Sequence, residues 1–397
     1  MNRLSTLDLL SAKLHTNLQP IDFTAITEVN PDGVHIEGLR AGMVSAMNRY
    51  PSTGSVVMGD MWVWQGPTDI LEVQVADDNA AMSQIQKTIN CRLDASQGMI
   101  SQVLIRSKDS LRAWIATRCH HACMDGIGAD LWLNHQLRVA AGEEKPVHNR
   151  HSIEPLELKK AFSNSSKGPS AHAGRSKRVW CSGRQSGERG WLQFTLAKTS
   201  IEQAVSNISG VTTNDLLGER LLATAAAWNQ SHGWPSSKLS LWIPVDIRAQ
   251  RPRGFGNGAS RVRIYRDSIQ AENPHDSVKR FREDMVAAKS SGEWAVPSFK
   301  LPSTIAIGLT RLYINRPWVD MGSIPFSNLP REHHIDSACV KQTNWTMVLH
   351  RWHPAGVIVS SDDQVVRFTL TYDTGALTRG EAEELTNLYR EHIEAAL

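Results

Sequence analysis

Apolar residues between positions 36 and 49 follow the spacing of a helix. Leu39, Met43 and Met47 recur at steps of four residues, and Pro51 follows the run. Because proline cannot continue a helix, the run ends before it. This spacing predicts an amphipathic helix over residues 36–49.

Similar patterns predict helices and strands in both halves of the chain. Helical spacing predicts helices over residues 127–141, 213–229 and 379–397. Runs rich in apolar and β-branched residues predict strands over residues 99–105, 111–118, 238–245, 261–265 and 363–373. Since each half mixes helices with strands, we predict a mixed α/β fold with mixed sheets.

A small, polar stretch near the middle divides the chain. Residues 163–174, SNSSKGPSAHAG, show no apolar period, which is typical of a linker. The 397 residues are enough for two bodies, each with its own core. We therefore predict an N-terminal lobe over residues 1–150, a linker over residues 151–187 and a C-terminal lobe over residues 188–397.

The net charge of +3 hides a basic segment around this linker. Residues 145–189 contain ten Lys or Arg and three Glu, a net charge of +7, so the rest of the chain is slightly acidic. No nucleic-acid recognition motif accompanies this charge, and we predict no nucleic-acid partner. Two interpretations remain: a solvated loop, or a surface that attracts a phosphate-bearing or acidic donor.

Membrane insertion and secretion are both disfavoured by the sequence. No apolar run approaches the roughly 18 residues that a membrane helix needs. The first residues also lack the apolar region of a signal peptide. We therefore predict a cytoplasmic protein with no membrane span.

The five cysteines are scattered and include no Cys-x-x-Cys pair, so no disulfide framework is predicted. Four potential metal ligands do cluster, and they are Cys119, His120, His121 and Cys123. In an extended segment, neighbouring side chains point to opposite faces and do not converge on one ion. We therefore predict no metal site.

The candidate chemistry lies in residues 120–126, HHACMDG, between a predicted strand and a predicted helix. Such a junction holds a side chain on rigid elements while the turn exposes it. Acyl transfer to an amine or hydroxyl needs a base that acts near neutral pH, and an imidazole meets this need. A single histidine is more often structural, but a doubled histidine followed by Asp-Gly favours catalysis, with His121 as the general base.

The pattern His120-His121-x-x-x-Asp125-Gly126 resembles the HHxxxDG signature of the condensation-domain and acyltransferase superfamily related to chloramphenicol acetyltransferase. This superfamily includes non-ribosomal peptide condensation domains, wax ester synthase-like enzymes and polyketide-associated acyltransferases. Further segments resemble the superfamily in the same order along the chain: residues 4–8 (LSTLD), 212–217 (TTNDLL), 243–248 (IPVDIR), 256–260 (GNGAS) and 326–330 (FSNLP).

The resemblance implies two chloramphenicol acetyltransferase-like lobes in a V-shaped pseudo-dimer with a tunnel at the interface. It implies that His121 is the general base and that Arg248 pairs with Asp125. His120 and Gly126 belong to the motif as structural members, and the Gly126 N–H is a candidate donor to an oxyanion. The candidate substrate-binding residues are Asn257 and Ser260.

The implied function is that of a free-standing condensation-type acyltransferase in natural-product biosynthesis. It moves an acyl, aminoacyl or peptidyl group from a thioester to an amine or hydroxyl of a small molecule. The thioester is carried by the phosphopantetheine of a carrier protein that acts in trans, or by coenzyme A. No bound cofactor is implied, and we expect a monomer.

Two alternative functions stay open. One is an acyl-CoA-dependent O-acyltransferase of the wax ester synthase type, which residues 326–330 favour. The other is a non-catalytic domain that recruits carrier proteins. The sequence leaves open the acceptor, the acyl chain and the choice between an ester and an amide product.

Overall fold

The computed structural model describes residues 2–14, 20–154, 156–158, 176–235, 238–249, 254–267, 273–292, 322–329 and 335–397. They form two compact units, each made of three pieces of chain. The first unit draws on Met1–Leu158, Arg248–Gly258 and Leu329–Val348, and the second on Lys159–Ile247, Ala259–Asn328 and Leu349–Leu397. Much of the predicted linker lies outside the described residues, so the predicted lobe boundaries stay a prediction.

Strands and helices follow one another along the described chain. The strands are β1 (Asn2–Arg3), β2 (Asp22–Val29), β3 (Ser55–Met58), β4 (Met61–Trp64), β5 (Ile70–Val75), β6 (Ile100–Ser107), β7 (Ala113–His120), β8 (Arg189–Ala197), β9 (Lys238–Asp246), β10 (Ala259–Asp267), β11 (Ile324–Asn328), β12 (Val340–Trp345), β13 (Ala355–Ser361) and β14 (Val365–Asp373). The helices are α1 (Thr6–Leu14), α2 (Ile36–Arg49), α3 (Asp78–Asn90), α4 (Gly126–Ala140), α5 (Lys198–Ser206), α6 (Thr213–Ser231), α7 (Pro274–Ser290) and α8 (Arg379–Glu394). The predicted mixed α/β class is confirmed.

The first unit is built on a five-stranded sheet with the strand order β12-β2-β7-β6-β5, in which only β5 and β6 are parallel. Helices pack on both faces. On one face, Gln102 of β6 donates to Thr117 of β7 and to Gln136 of α4. On the other face, Arg118 of β7 donates to the Thr88 carbonyl of α3. Every residue of β2 and β7 is therefore buried.

Helix α4 is held on this sheet by a buried pair of amides. Gln102 and Gln136 exchange two hydrogen bonds of 2.7 and 2.6 Å, and Gln136 also donates to the Leu39 carbonyl of α2 at 3.3 Å. Helix α2 comes so close to α4 at Gly42 that an added Cβ would overlap the carbonyl oxygen of Gln136. These contacts fix the position of α4, and with it the position of the loop that precedes it.

The second unit is built on a six-stranded sheet with the order β10-β9-β11-β13-β14-β8. Strand β11 runs parallel to both of its neighbours, and the other pairs are antiparallel. Helices α6, α7 and α8 share one core with this sheet, and its largest side chains include Trp228, Phe281, Phe326, Phe368 and Tyr389. None of the helices in the described part of the chain is long and apolar enough to cross a membrane.

The close approach of α2 and α4 gives a testable prediction. Replacing Gly42 by alanine should lower the free energy of unfolding by about 1–3 kcal/mol, because the backbone of α4 must shift to admit the methyl group. Urea unfolding followed by circular dichroism measures this loss. Gly98→Ala is the matched control, since an added Cβ there lies 3.7 Å from its nearest neighbour, the Thr68 Cγ2. Equal losses in the two variants would contradict the prediction.

Candidate active site

The HHxxxDG loop joins β7 to α4 in the first unit, in the strand–turn–helix context that the sequence predicts. His120 is the last residue of β7, and α4 begins at Gly126. Asp125 caps α4, because its Oδ1 accepts a hydrogen bond of 3.0 Å from the Gly128 N–H. The backbone N–H of His121 donates to the Ile21 carbonyl at 2.9 Å. Both ends of the loop are thus tied to regular structure.

Asp125 and Arg248 form a buried ion pair. The Arg248 Nη2 lies 2.7 Å from the Asp125 Oδ1, and the two side chains are 0% and 3% exposed. The other carboxylate oxygen, Oδ2, accepts a hydrogen bond of 2.9 Å from the Gly258 N–H. Both oxygens therefore have donors, as a buried carboxylate requires. The structure brings these two predicted site residues together.

Residues 254–258 wrap around the guanidinium group of Arg248. Its Nε donates to the Gly254 carbonyl at 2.8 Å, and its Nη2 donates to the Gly256 carbonyl at 2.7 Å. An added Cβ at Gly258 would lie 2.6 Å from the Arg248 Cγ, so only glycine fits there. Gly256 has a φ of +132°, which also favours glycine. Gly256 and Gly258 of the GFGNG segment thus allow the backbone to pass close around the Arg248 side chain.

The imidazole of His121 is half-buried, and its Nδ1 is the inaccessible ring nitrogen. The ring of Phe23 packs edge-on against it, with the centroids 5.5 Å apart. Burial lowers the pKa of His121, while the negative charge of Asp125 and a backbone hydrogen bond within His121 itself oppose the shift. A neutral imidazole near neutral pH follows, and Nε2 is the nitrogen left for proton transfer.

His120 has a different environment. It is fully buried, and its Nδ1 accepts a hydrogen bond of 3.1 Å from the Ala122 N–H. Cys123 is buried as well, and burial raises the pKa of its thiol well above the ordinary value, so the sulfur stays protonated. Across the described ranges, no three His, Cys, Asp or Glu side chains are placed to hold a metal ion. These residues shape the turn around His121.

Gly126 packs against Leu329, whose Cδ2 lies 2.7 Å from where a Cβ would stand. Asn257 lies beside the loop and donates to the His121 carbonyl at 3.0 Å. Ser260 is on β10 in the second unit and is half-buried. The catalytic or substrate-binding roles of these three residues stay predictions.

Two carboxyl groups that the sequence analysis did not single out lie within electrostatic reach of Asp125. Burial raises the pKa of Asp8 to about 6, although hydrogen bonds from Ser5 oppose the shift. Asp130 on α4 is 5% exposed, and burial, followed by the charge of Asp125, raises its pKa well above the ordinary value. The sequence could have indicated Asp8, because it ends the LSTLD segment. It could not have indicated Asp130, because only the burial of that residue in the structure sets it apart.

The sequence of the chain matches no known family model and no curated protein. Its fold matches solved structures over nearly its whole length. The first condensation domain of the calcium-dependent antibiotic synthetase, in complex with a substrate analogue, has a TM-score of 0.71 at 11% identity, with 100% of this chain and 96% of that chain covered.

Two further solved structures also match nearly the whole length of this chain. The wax ester synthase/diacylglycerol acyltransferase from Marinobacter aquaeolei VT8 has a TM-score of 0.62 at 14% identity, with 100% and 98% covered. The epimerization domain from the third module of tyrocidine synthetase B has a TM-score of 0.63 at 12% identity, with 99% and 97% covered.

Likenesses at 11–14% identity establish the fold and leave the reaction open, and these three proteins are named for different reactions. The resemblance that the HHxxxDG motif and its companion segments predict is confirmed at this level. The chain has the fold that condensation domains share with related acyltransferases.

Proposed function

We propose that this protein is a condensation-type acyltransferase that moves an acyl, aminoacyl or peptidyl group from a thioester to an amine or hydroxyl. The observation that carries the proposal is the setting of His121. Its imidazole lies at a strand–helix junction with Nδ1 buried, in the loop that the Asp125–Arg248 pair holds. The fold supports the same class of reaction, since condensation domains and a wax ester synthase share it.

In the proposed reaction, the Nε2 of His121 takes the proton of the acceptor amine or hydroxyl as the nucleophile attacks the thioester carbonyl. A tetrahedral intermediate forms, with its negative charge on the former carbonyl oxygen. When the intermediate collapses, the carbon–sulfur bond breaks and the imidazolium of His121 returns the proton to the leaving thiolate. The base is thereby restored, and no external oxidant or reductant is needed.

The start of α4 supplies a candidate partner for the oxyanion. The first N–H groups of a helix have no partner within the helix and carry the positive end of its dipole. Gly126 is the first residue of α4, and the Asp125 cap engages the N–H of Gly128 rather than that of Gly126. The Gly126 N–H is therefore the proposed oxyanion donor.

The proposed donor is a thioester on the phosphopantetheine of a carrier protein that acts in trans, or on coenzyme A. The proposed acceptor is a small-molecule amine or alcohol of natural-product biosynthesis, and the proposed working form is a monomer. An alternative is an acyl-CoA-dependent O-acyltransferase, which the FSNLP segment and the likeness to a wax ester synthase favour. It uses the same base and differs only in its substrates.

The role of His121 can be tested by replacing it with alanine. Loss of the general base should lower the rate of transfer by about 10²–10⁴-fold, while the fold stays intact. Intact-mass analysis would follow the acyl group from a panel of acyl-CoA esters and acyl-loaded carrier proteins to a panel of amines and alcohols. His148→Ala, at an exposed position, is the matched control and should keep full activity.

Unchanged single-turnover product formation in His121→Ala would refute the assignment of the base. Tight binding of a carrier protein by the wild type, with no product from any donor, would favour the non-catalytic recruitment domain. A donor group that changes its configuration without changing its mass would favour an epimerization reaction instead.

The Asp125–Arg248 pair gives a prediction about stability and rate together. Arg248→Met should lower the free energy of unfolding by about 3–5 kcal/mol, because it leaves the Asp125 carboxylate buried without its cation. It should also lower kcat, because the loop that carries His121 loses the ion pair between Asp125 and Arg248. The double variant Asp125→Asn/Arg248→Met removes both charges and should lose less than the sum of the single variants. Urea unfolding measures the loss in Arg248→Met, in Asp125→Asn and in the double variant. A loss in the double variant equal to the sum of the two single losses would contradict the prediction.

The pH dependence of the reaction follows from the protonation of His121. The base acts as the neutral imidazole, so kcat/KM should rise with pH until His121 has lost its proton. Because burial lowers the pKa of His121 from the ordinary 6.5, the midpoint should lie below pH 6.5. Initial rates with an alcohol acceptor, which does not titrate in this range, measure the midpoint. A midpoint above 6.5 would rule out the proposed protonation state.

A further inference from the structure

The aromatic ring of Phe255 stacks on the ring of Tyr50. The two ring centroids lie 4.2 Å apart, and the ring planes meet at 18°. Both residues belong to the first unit, and both are half-buried. Such an aromatic pair adds stability beyond the area that it buries. The stack therefore ties Phe255 to the end of α2, because Tyr50 is the residue that directly follows this helix.

Tyr50 is itself held by α2 and α4. Its N–H donates to the Ala46 carbonyl of α2 at 2.8 Å, and its carbonyl accepts hydrogen bonds from the N–H and the Oγ1 of Thr53 at 3.0 and 2.7 Å. The ring of His135 on α4 packs edge-on against the Tyr50 ring, with the centroids 6.3 Å apart. His135 is fixed in turn by Ser45 of α2, whose Oγ lies 2.8 Å from the His135 Nε2. The Tyr50 ring is therefore a fixed surface on two helices of the first unit.

The backbone on either side of Phe255 binds Arg248. The Gly254 carbonyl accepts a hydrogen bond from the Arg248 Nε at 2.8 Å, and the Gly256 carbonyl accepts one from the Arg248 Nη2 at 2.7 Å. The Gly256 carbonyl also accepts from the Asp125 N–H at 3.4 Å. Phe255 thus stands between the two carbonyl groups that hold the guanidinium group of the buried ion pair.

The segment around Phe255 has little local structure to keep its shape. Residues 254–258 form neither a helix nor a strand, and three of the five are glycine. Glycine loses more conformational freedom on folding than any other residue, so ordering this segment is costly. Phe255 carries the only apolar side chain larger than hydrogen in the segment. Its contact with Tyr50 offsets part of this cost and fixes where the segment lies.

We propose that Phe255 is a positioning residue for the HHxxxDG loop. Its stack on Tyr50 docks residues 254–258 on the first unit, and this segment then holds the buried ion pair in the geometry that the loop requires. The inference rests on the proposed function, in which this loop carries the base. Phe255 acts on the base through the backbone of the segment and through Asp125.

Amide hydrogen exchange followed by NMR tests the docking without any substrate. The N–H groups of Asp125 and Gly258 both donate within this arrangement, one to the Gly256 carbonyl and the other to the Asp125 Oδ2. Phe255→Leu keeps an apolar side chain and removes the ring, so the segment should open more often and both amides should exchange about fivefold faster. Phe255→Tyr keeps the ring and should exchange as the wild type does.

Phe194→Leu is the matched control. Phe194 stacks on Phe368 in the second unit, with the centroids 4.5 Å apart and the planes at 2°, so the substitution removes a pair of the same kind from the unit that lacks the HHxxxDG loop. It should leave the exchange of Asp125 and Gly258 unchanged. Unchanged exchange in Phe255→Leu, or an equal rise in Phe194→Leu, would overturn the proposal.

A double variant separates the stack from other effects of the Phe255 ring. Tyr50→Leu should speed the exchange of the same two amides by about the same factor as Phe255→Leu. The double variant Tyr50→Leu/Phe255→Leu should add little to either change, because one substitution already breaks the stack. Factors that multiply in the double variant would contradict a role that depends on the pair.

Kinetics connect the docking to the proposed reaction. A small misplacement of a catalytic group costs up to about 10²-fold in rate, and we expect Phe255→Leu to lower kcat about tenfold with KM unchanged. Phe255→Tyr should keep the kcat of the wild type, and so should Phe194→Leu. A raised KM with unchanged kcat would mean that Phe255 binds substrate and would overturn the proposal. If the exchange depends on Phe255 but no donor gives product, the proposed function fails while the docking role stands.

Discussion

The ion pair between Asp125 and Arg248 joins two parts of the chain that lie 123 residues apart. Both side chains are buried, so neither charge is tolerated without the other. Asp125 also caps α4 and accepts from the N–H of Gly258, and Arg248 is wrapped by carbonyl groups of residues 254–258. The loop that carries His121 and the segment that carries Asn257 are therefore positioned by one electrostatic contact.

This contact also depends on the position of α4, because Asp125 is the residue that caps it. The Gln102–Gln136 amide pair fixes α4 to the sheet, and the close approach at Gly42 fixes it to α2. The two buried amides satisfy each other's hydrogen bonds, and the close contact at Gly42 leaves no space for a larger side chain. His121 lies in the loop that leads into this helix, so the contacts that position α4 also help to position the proposed base, and proton transfer depends on such positioning.

The fold leaves the reaction undetermined, since proteins named for condensation, epimerization and ester synthesis share it. The chemistry must then depend on a few side chains and their protonation. In this chain, burial keeps the His121 imidazole neutral, and the hydrogen bond from Asn257 restrains the carbonyl beside it. Burial raises the pKa of Asp8 and of Asp130, two carboxyl groups that interact electrostatically with Asp125. Fold similarity does not report the protonation or hydrogen bonding of such groups.

The sequence by itself determined the elements whose patterns are local. The helix predicted over residues 36–49 has the bounds of α2, and the HHxxxDG loop lies between a strand and a helix as its spacing predicts. The sequence did not predict β2, DFTAITEV, because its alternation of polar and apolar residues covers only residues 22–25 and breaks at Ile26. That strand is buried on both faces, and its Glu28 meets Arg112 and Gln342 only in the folded unit.

Only the tertiary structure decided which distant segments return to the first unit. Strand β12, VKQTNW, has no strand-like period, yet it pairs with β2, and Thr346 contacts Thr24 across 322 residues. Three other features also depend on the tertiary structure. They are the wrapping of residues 254–258 around Arg248, the burial of Asp130 and the contact of Asn257 with His121. The spacing of apolar residues shows which face of a helix or strand is buried. The pairing of distant segments depends instead on how their surfaces fit and on the burial of charged groups, and both arise only when the chain has folded.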